Sequence, residues 1–348
     1  MPAPPIPLAL APEYPPPRVS VLIPVHDEIE VLAELLARLE ALIAGHGRSA
    51  APPVAYTWLF VDDGSTDGSR PWLRDAAAAN PRITLIELSR NFGKEAAMSA
   101  GFDHARGDAV IVIDADLQDP PELIPDMVRV WQEGADVVCM RRRSRAGETH
   151  FKRASAHLFY RLLNRLADCE IPEDVGDFRL ISRRVVDALQ RLPEQARYMK
   201  GLFAWVGFPT RIIEYDRAPR YAGETKWNTL ALLRLAMEGI TSFSIAPLRW
   251  VALSGLLVAM AGLAFGVWIA IKAAVLGEAV AGYPSLVAVI TVLGGTQLLS
   301  LGIVGEYVGK GFIEAKRRPL YLVSAIHGRL NEAGDDRLAV TGERRHVG

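Results

Sequence analysis

Two aspartates stand where a buried strand should end. The segment 110–113 is apolar and mostly β-branched, which predicts a strand buried on both faces, and Asp114 and Asp116 come directly after it. Carboxylates are poor core material, and in an extended chain side chains two positions apart point to the same side. Asp114 and Asp116 are therefore suited to share one hard cation, or to divide a metal and a ribose between them. The first hypothesis is a metal–nucleotide site.

Further polar groups follow the neighbouring predicted strands. Asp62 and Asp63 come after the apolar segment 56–61, and Lys94 lies in the polar stretch after segment 83–88, where a helix should begin. A cation beside a helix N-terminus favours an anion such as a phosphate. Open α/β sheets bind ligands past the carboxyl ends of their strands, which is where these residues stand.

A cluster of basic residues follows the next predicted strand, 136–140. Such a cluster is often a solvated face, but its position on the ligand side of the sheet favours a phosphate-binding role. Its members are Arg141, Arg142, Arg143, Arg145, Lys152 and Arg153. A later glycine-containing loop carries Arg220 and Lys226 and is suited to close over a diphosphate.

The elements that must position these residues alternate between strand and helix. Apolar runs bounded by turn residues predict strands, and leucines at helical spacing between 32 and 42 predict a helix after the first of them. This alternation is typical of an α/β fold with a largely parallel, Rossmann-like sheet. The predicted strands are 18–24, 56–61, 83–88, 109–113 and 136–140, and a further helix is predicted over 121–132.

Two uncharged runs late in the chain predict transmembrane helices. Residues 250–271 and 283–305 are each long enough, at ~1.5 Å per residue, to exceed the ~30 Å hydrocarbon core of a bilayer. Arg249 precedes the first run and basic residues at 310 and 316–318 follow the second, so the positive-inside rule places both flanks in the cytosol. We predict a multi-pass protein of the inner (cytoplasmic) membrane, with the catalytic domain and both termini cytosolic.

These features divide the chain into five segments. Residues 1–17 are predicted to be a disordered Pro-rich arm, 18–226 a cytosolic catalytic domain and 227–247 an interfacial amphipathic helix region. Residues 248–309 form the predicted transmembrane hairpin, and 310–348 a cytosolic C-terminal segment and tail.

The composition excludes some classes of protein. The 348 residues carry 39 Lys+Arg against 40 Asp+Glu, so no overall charge points to nucleic acid as a partner. Cys139 and Cys169 are the only cysteines, which is too few for a disulfide framework and lacks the spacing of a zinc site. A reducing cytosolic compartment fits this cysteine usage.

Five polar blocks occur in an order that resembles glycosyltransferase family 2. Within that family they resemble the polyprenyl-phosphate glycosyltransferases, a group that includes dolichol-phosphate mannose synthase and the bacterial bactoprenol glucosyltransferases. One Asp-x-Asp pair alone is weak support, whereas five blocks followed by two apolar runs are specific. The blocks are 62–65, 91–94, 114–119, 174–179 and 223–226.

The resemblance implies a GT-A type nucleotide-diphospho-sugar transferase domain and assigns roles within it. Nucleotide-sugar binding would fall to the base-pocket residues and the acids, with a Mg²⁺ or Mn²⁺ ion bridging the diphosphate and held by Asp116 and Gln118, supported by Asp114. Position 26 departs from the pattern, because His26 stands where an Asn is common. The implied donor-site residues are Pro24, Val25, Glu28, Asp63, Lys94, Asp114 and Asp116, and the implied catalytic residues are Asp116, Arg220 and Lys226.

The same resemblance implies a reaction and its partners. A polyprenyl phosphate, such as undecaprenyl phosphate, would attack the anomeric carbon of a nucleotide sugar, with UDP-glucose the first choice, and direct attack would invert that centre. The basic cluster from Arg141 to Arg153 would hold the acceptor phosphate. Glycines in the two spans permit a homo-oligomer such as a tetramer. A separate flippase would then move the product.

Two other functions fit parts of the pattern. A processive membrane polysaccharide synthase would carry more spans and a Gln-x-x-Arg-Trp motif, whereas Arg249-Trp250 here lacks the Gln. A non-catalytic sugar-nucleotide-binding membrane scaffold would have no need for an intact Asp116, Gln118 and Lys226. Transfer from a nucleotide sugar to a lipid phosphate discriminates among the three.

Overall fold

The fold is given by a computed structural model that describes residues 15–46, 54–143, 175–195, 197–217, 241, 244–276 and 282–328. Its described strands form one eight-stranded sheet in the order β7-β5-β6-β4-β1-β2-β3-β8. The strands are β1 (Arg18–Val25), β2 (Ala55–Asp62), β3 (Ile83–Leu88), β4 (Ala109–Val112), β5 (Val137–Arg142), β6 (Val175–Ser182), β7 (Thr210–Tyr215) and β8 (Val323–His327).

The centre of the sheet is parallel and buried. Strands β4, β1, β2 and β3 lie side by side and pair in parallel. Their apolar residues, among them Val21, Phe60 and Ile111, are buried, as continuous apolar runs predict. The predicted α/β fold is confirmed here. The described helices are α1 (Ile29–His46), α2 (Ser69–Ala79), α3 (Lys94–His104), α4 (Ile124–Gln132), α5 (Arg183–Gln190), α6 (Met199–Trp205), α7 (Ala246–Leu276) and α8 (Tyr283–Lys316).

The other half of the sheet is mixed. Strand β6 lies between β4 and β5 and pairs antiparallel with both, while β7 pairs in parallel with β5. The polar block 174–179 therefore lies largely within a strand, although the sequence analysis predicted no strand there. Gly176 and Asp177 lower its β propensity, so pairing with β4 and β5 supplies what the local sequence lacks. The sheet is mostly parallel, as predicted, with an antiparallel insertion.

The C-terminal segment contributes the opposite edge of the sheet. Strand β8 pairs antiparallel with β3, so the chain returns to the sheet after helix α8. Sequence analysis predicted a cytosolic segment here but no strand. The Leu322 carbonyl accepts a hydrogen bond from Ser89 N–H at 2.9 Å, directly where β3 ends.

Helices α7 and α8 contain the two predicted spans and contact each other. Among the helices that the structure describes, the stretch Ala246–Ile269 is long and apolar enough to cross a membrane. Large apolar side chains of both helices are exposed, for example Leu257 and Leu298. A second span over 283–305, and with it a two-helix hairpin, stays a prediction.

Several sequence predictions fall outside the described residues. These concern most of the Pro-rich arm, most of the interfacial region 227–247 and five of the basic residues assigned to phosphates. The five residues are Arg145, Lys152, Arg153, Arg220 and Lys226.

Candidate active site

Asp63 joins two loops at the carboxyl edge of the sheet. Its carboxylate accepts hydrogen bonds from Phe92 N–H at 2.7 Å and Gly93 N–H at 2.8 Å, so the loop after β2 is tied to the loop after β3. Burial raises the pKa of Asp63 above its usual value, and the two N–H donors oppose that rise. Asp63 is therefore a buried carboxylate held by two backbone donors, at the end of β2 where the sequence predicts the nucleoside-binding acid.

Gly64 allows the two loops to meet. Its φ is +75°, and a Cβ at this position would lie 2.4 Å from the backbone nitrogen of Asn91. Both facts require glycine, because a side chain would be strained and would collide with backbone. The turn after β2 is thus built to touch the stretch before Lys94.

The loop after β1 contacts the segment that follows β2. Glu28 N–H donates to Ser69 Oγ at 3.1 Å, and Asp27, with a φ of +54°, accepts from Thr66 N–H at 2.7 Å. Pro24 is partly exposed, whereas the Val25 side chain is buried in the core, so Val25 presents its backbone to the site. The predicted base-pocket segment lies beside the predicted nucleoside acid.

Asp116 follows β4 on a constrained backbone. It is 8% exposed, and its Oδ1 accepts a hydrogen bond from Gln118 N–H at 3.1 Å. The residue between them, Leu117, has a φ of +57°, which an L-residue with a bulky side chain rarely adopts. Such local strain is typical of functional sites, and here it fixes the direction of the Asp116 carboxylate.

The residues of the predicted metal site fit a cation that also binds a diphosphate. Within the described residues, no group of three or more His, Cys, Asp or Glu side chains is arranged to enclose a metal. A Mg²⁺ ion, however, is commonly held by one or two carboxylates together with substrate phosphates and water. Asp116 would be the carboxylate ligand and Gln118 an amide-oxygen ligand, a donor set that suits a hard cation.

Lys94 bridges two carboxylates. Its Nζ lies 2.6 Å from Asp114 Oδ1 and 2.6 Å from Asp177 Oδ2. Burial opposes the charge on Lys94, but Asp114 and Asp177 outweigh it and raise the Lys94 pKa. Burial likewise opposes ionisation of Asp177, whose pKa is nevertheless lowered by Lys94 and Lys200. Asp114 is therefore partly neutralised by Lys94, which fits the supporting role that the resemblance implies for it.

Glu95 is a partly buried acid that sequence analysis missed. It follows Lys94, and its Oε2 accepts a hydrogen bond from Met199 N–H at 3.1 Å. Burial raises the pKa of Glu95 to about 7, and the nearby negative charge of Asp177 acts in the same direction. No sequence signal marks it, because Met199 lies over a hundred positions away.

The basic residues at the end of β5 divide between two faces. Arg141 pairs with Glu214, and Arg143 pairs with Asp216 at 3.1 Å, so both guanidinium groups are neutralised by β7 and the residue after it. Arg142 points the other way, as alternation along a strand requires, and lies within hydrogen-bonding reach of the Tyr215 hydroxyl. Tyr215 in turn donates to the buried Asp119. Arg142 is thus the described member of the basic cluster that faces the Asp114–Asp119 block.

This fold and site define a class. A mostly parallel α/β sheet whose strand-end loops gather carboxylates and cations is a GT-A-like transferase domain. Residues 20–190 match the model of the family described as "Glycosyl transferase family 2". The chain belongs to glycosyl transferase family 2, and it is a glycosyltransferase.

Relatives cover most of this chain. An "Uncharacterized glycosyltransferase" of Synechocystis sp. is 46% identical over 310 residues, which are 89% of this chain and 96% of the relative. The "Prophage bactoprenol glucosyl transferase homolog" of Escherichia coli is 46% identical over 77% of this chain and 88% of its own. The "SfII prophage-derived bactoprenol glucosyl transferase" of Shigella flexneri is 43% identical over 89% of this chain and 98% of its own.

Solved structures are more distant. The mannosyltransferase PcManGT from Pyrobaculum calidifontis, solved with GDP-Man and Mn²⁺, is 19% identical, covers 85% of this chain and 90% of its own, and has a TM-score of 0.42. Similarity of this size says nothing about the ligands of this chain.

Proposed function

We propose that this chain transfers a hexose from a nucleotide sugar, UDP-glucose, to a polyprenyl phosphate such as undecaprenyl phosphate at the cytosolic face of the membrane. One observation carries the proposal: an acidic residue, Asp116, follows β4, and a cationic residue, Arg142, ends β5 on the same edge of the sheet. An acidic half suits a metal-bound diphosphate, and a cation beside it suits a second anion. The bactoprenol glucosyl transferases among the relatives support the lipid acceptor.

The donor half is assembled from three strand ends. Asp63 is proposed to accept a hydrogen bond from a nucleoside hydroxyl, in a pocket bordered by the β1 loop with Pro24 and Glu28. A diphosphate extending from this pocket would reach Asp116 and Gln118. A divalent ion held there would withdraw charge from the departing diphosphate. Arg220 and Lys226, which lie outside the described residues, are proposed to meet the same phosphates.

The acceptor half has a simpler chemical task. A phosphate monoester is already anionic near neutral pH, so its oxygen can attack the anomeric carbon without a strong general base. What the protein must supply is charge compensation and alignment of two anions. Arg142 is proposed to bind the acceptor phosphate, with Arg145, Lys152 and Arg153 as further candidates. In-line attack inverts the anomeric carbon, so an α-linked donor gives a β-linked lipid phosphosugar.

The long helices fit a lipid acceptor. The exposed apolar surface of α7 and α8 suits a bilayer, and the stretch Ala246–Ile269 is long enough to cross it. The proposed topology is a two-helix hairpin with the catalytic domain and both termini in the cytosol. The lipid tail would then stay in the bilayer while its phosphate reaches the strand-end loops.

The test is transfer by the full-length protein in nanodiscs that contain undecaprenyl phosphate. A panel of UDP- and GDP-sugars is supplied with and without Mn²⁺ or Mg²⁺, and the lipid product is identified by mass. We expect UDP-glucose to give a single product, undecaprenyl phosphate that carries one hexose, and we expect its formation to depend on the divalent ion. A polymer would indicate a processive synthase instead, and the absence of lipid product with every donor would indicate a sugar-nucleotide-binding scaffold.

A further inference from the structure

The chain that leaves helix α8 is fixed to β3, beside the loop that follows this strand. Strand β8 runs antiparallel to β3, and Leu322 O accepts from Ser89 N–H at 2.9 Å. Ser324 Oγ donates to Glu87 O at 3.0 Å. Ser89 begins the loop whose N–H groups at positions 92 and 93 hold Asp63. The segment after α8 is thus hydrogen-bonded to β3 at the point where the loop 89–93 begins.

A buried charge network lies on the same part of β3. Glu87 is 1% exposed and accepts two hydrogen bonds from Arg74, at 2.5 and 2.7 Å. His327 of β8 places Nε2 3.0 Å from Glu87, and Arg70 lies 3.9 Å from the same carboxylate. Since a buried carboxylate needs these partners, the side chains of α2 and β8 converge on it.

Arg70 connects this network to both donor loops. Its Nε donates to Asp62 Oδ2 at 2.6 Å, and its Nη2 donates to Leu88 O at 3.2 Å. Asp62 in turn accepts from Ser65 N–H at 3.2 Å, which shapes the turn that contains Asp63. The Arg70 guanidinium therefore holds the end of β2 and the end of β3 at a fixed separation. Arg70 is not itself predicted to contact the nucleoside.

We propose that Arg70 is a positioning residue for the nucleotide sugar, and that docking of β8 on β3 completes the donor site. In this arrangement Arg70 sets the distance between the Asp62–Ser65 turn and the Ser89–Gly93 loop, while β8 holds the second of these in place. The donor pocket is then fully formed only when β8, the strand that follows α8, is paired with β3. The nucleotide part of this inference rests on the proposed function, whereas the coupling of β8 to the loops does not.

Two further contacts fix the end of α8 and the connection to β8 to the catalytic domain. Near its C-terminal end, Glu314 of α8 accepts a hydrogen bond from Gln195 N–H at 2.7 Å. Tyr321, in the short connection to β8, donates to Asp103 of α3 at 2.7 Å. The end of α8 and the connection to β8 therefore both have fixed contacts just before the strand begins, so the position of α8 constrains that of β8.

Gly328 provides a test of the β8 coupling that leaves the site residues intact. Its φ is +94°, and an added Cβ would lie 2.2 Å from Ile83 O, so Gly328→Ala must shift the end of β8. Gly134→Ala is the matched control, because Gly134 has a similar φ of +103° but has no atom within 4 Å of an added Cβ. Hydrogen–deuterium exchange is measured on the full-length, nucleotide-free proteins in nanodiscs. We expect at least fivefold faster exchange over 62–66 and 89–93 in Gly328→Ala only; unchanged exchange there would overturn the coupling.

The positioning role of Arg70 is tested by nucleotide binding and kinetics. UDP and GDP, each with Mn²⁺, are titrated into wild type, Arg70→Lys and Arg70→Gln, followed by kcat and KM for the matching nucleotide sugar. We expect Arg70→Gln to weaken binding and raise the donor KM about tenfold with a smaller change in kcat, and Arg70→Lys to recover part of the loss.

The outcomes separate the two proposals. If wild type binds neither nucleotide, the proposed function fails, and the positioning role of Arg70 fails with it, whatever the exchange data show. If wild type binds and Arg70→Gln binds equally well with an unchanged donor KM, the positioning role alone is wrong. Loss of kcat with unchanged donor binding would also overturn it.

Discussion

The Lys94 ammonium lies between Asp114, after β4, and Asp177, on β6, at 2.6 Å from each carboxylate. One cation thereby joins the parallel part of the sheet to its antiparallel insertion, beside the predicted metal site. Replacement with Met would leave two partly buried acids without this counter-charge, a loss of about 1–3 kcal/mol in the free energy of unfolding.

We expect Lys94→Met to lower both the thermal unfolding midpoint and the rate of transfer. The double variant Lys94→Met/Asp177→Asn should recover stability, because Asp177, the less exposed of the two carboxylates, is replaced by a neutral amide that needs no counter-charge. Transfer should stay low. Thermal unfolding and donor turnover measure the two effects separately. Full recovery of transfer in the double variant would show that Lys94 acts only in stability.

Asp116 and Asp114 should differ in their response to substitution. Because Asp116 is the predicted primary metal ligand, Asp116→Asn is expected to cost on the order of 10²-fold in kcat and to raise the Mn²⁺ concentration for half-maximal activity. Asp114→Asn should affect the metal requirement less, by about tenfold, as a supporting group does. Activity titrated with Mn²⁺ provides the measurement.

Asp108→Asn is the matched control for these two variants. Asp108 precedes the same strand, β4, and accepts from Arg18 N–H at 2.8 Å at the opposite end of β1. Its substitution should leave the Mn²⁺ dependence unchanged. Equal metal dependence of Asp116→Asn and wild type would remove Asp116 from the metal site.

Arg142 should bind the acceptor more strongly than its two neighbours do. Arg142→Gln removes a cation that faces the site, and a charge-assisted hydrogen bond of about 1.5–3 kcal/mol corresponds to a rise of roughly 10- to 100-fold in the KM for polyprenyl phosphate. Arg141→Gln and Arg143→Gln remove cations that are paired with Glu214 and Asp216, so they serve as controls with small effects. Kinetics with varied lipid phosphate in nanodiscs measure this. A larger effect of Arg141→Gln would reverse the assignment.

The central strands and their polar ends could be predicted from the sequence for a physical reason. A strand buried on both faces must be continuously apolar, and polar residues can begin only where it ends, so the positions of Asp63, Asp114 and Asp116 follow from the pattern. The pattern also placed basic residues after β5. It did not give the face on which each one lies, which depends on the acids that β7 brings alongside.

Contacts between distant segments could not be predicted from the sequence. Lys94 and Asp177 are separated by 83 positions, and only the antiparallel insertion of β6 brings them together. Strand β8 is five residues long and follows a polar connection, so its local sequence does not distinguish it from a tail. Its pairing with β3 supplies the stabilisation, and it is this pairing that links helix α8 to the loop after β3.

Glu95 should make stability fall as pH rises. Burial raises the pKa of Glu95 to about 7 in the folded protein from its ordinary value of 4.5, so the folded state holds a proton that the unfolded state releases. Between these two values the unfolded state binds fewer protons, and the free energy of unfolding therefore decreases with pH. The contribution of Glu95 is most favourable below about pH 4.5 and is lost by about pH 7.

Glu95→Gln isolates this effect, because Gln keeps an oxygen for the Met199 N–H but does not titrate. We expect the unfolding midpoint of wild type to drop more than that of Glu95→Gln between pH 5 and pH 7.5, and the variant to be the more stable of the two at the higher pH. Asp177, whose pKa is lowered, contributes the opposite slope at lower pH in both proteins and cancels in the comparison. Parallel pH profiles for the two proteins would mean that Glu95 is ionised in the folded state at pH 5, and that its burial is compensated by Lys94 and Lys200.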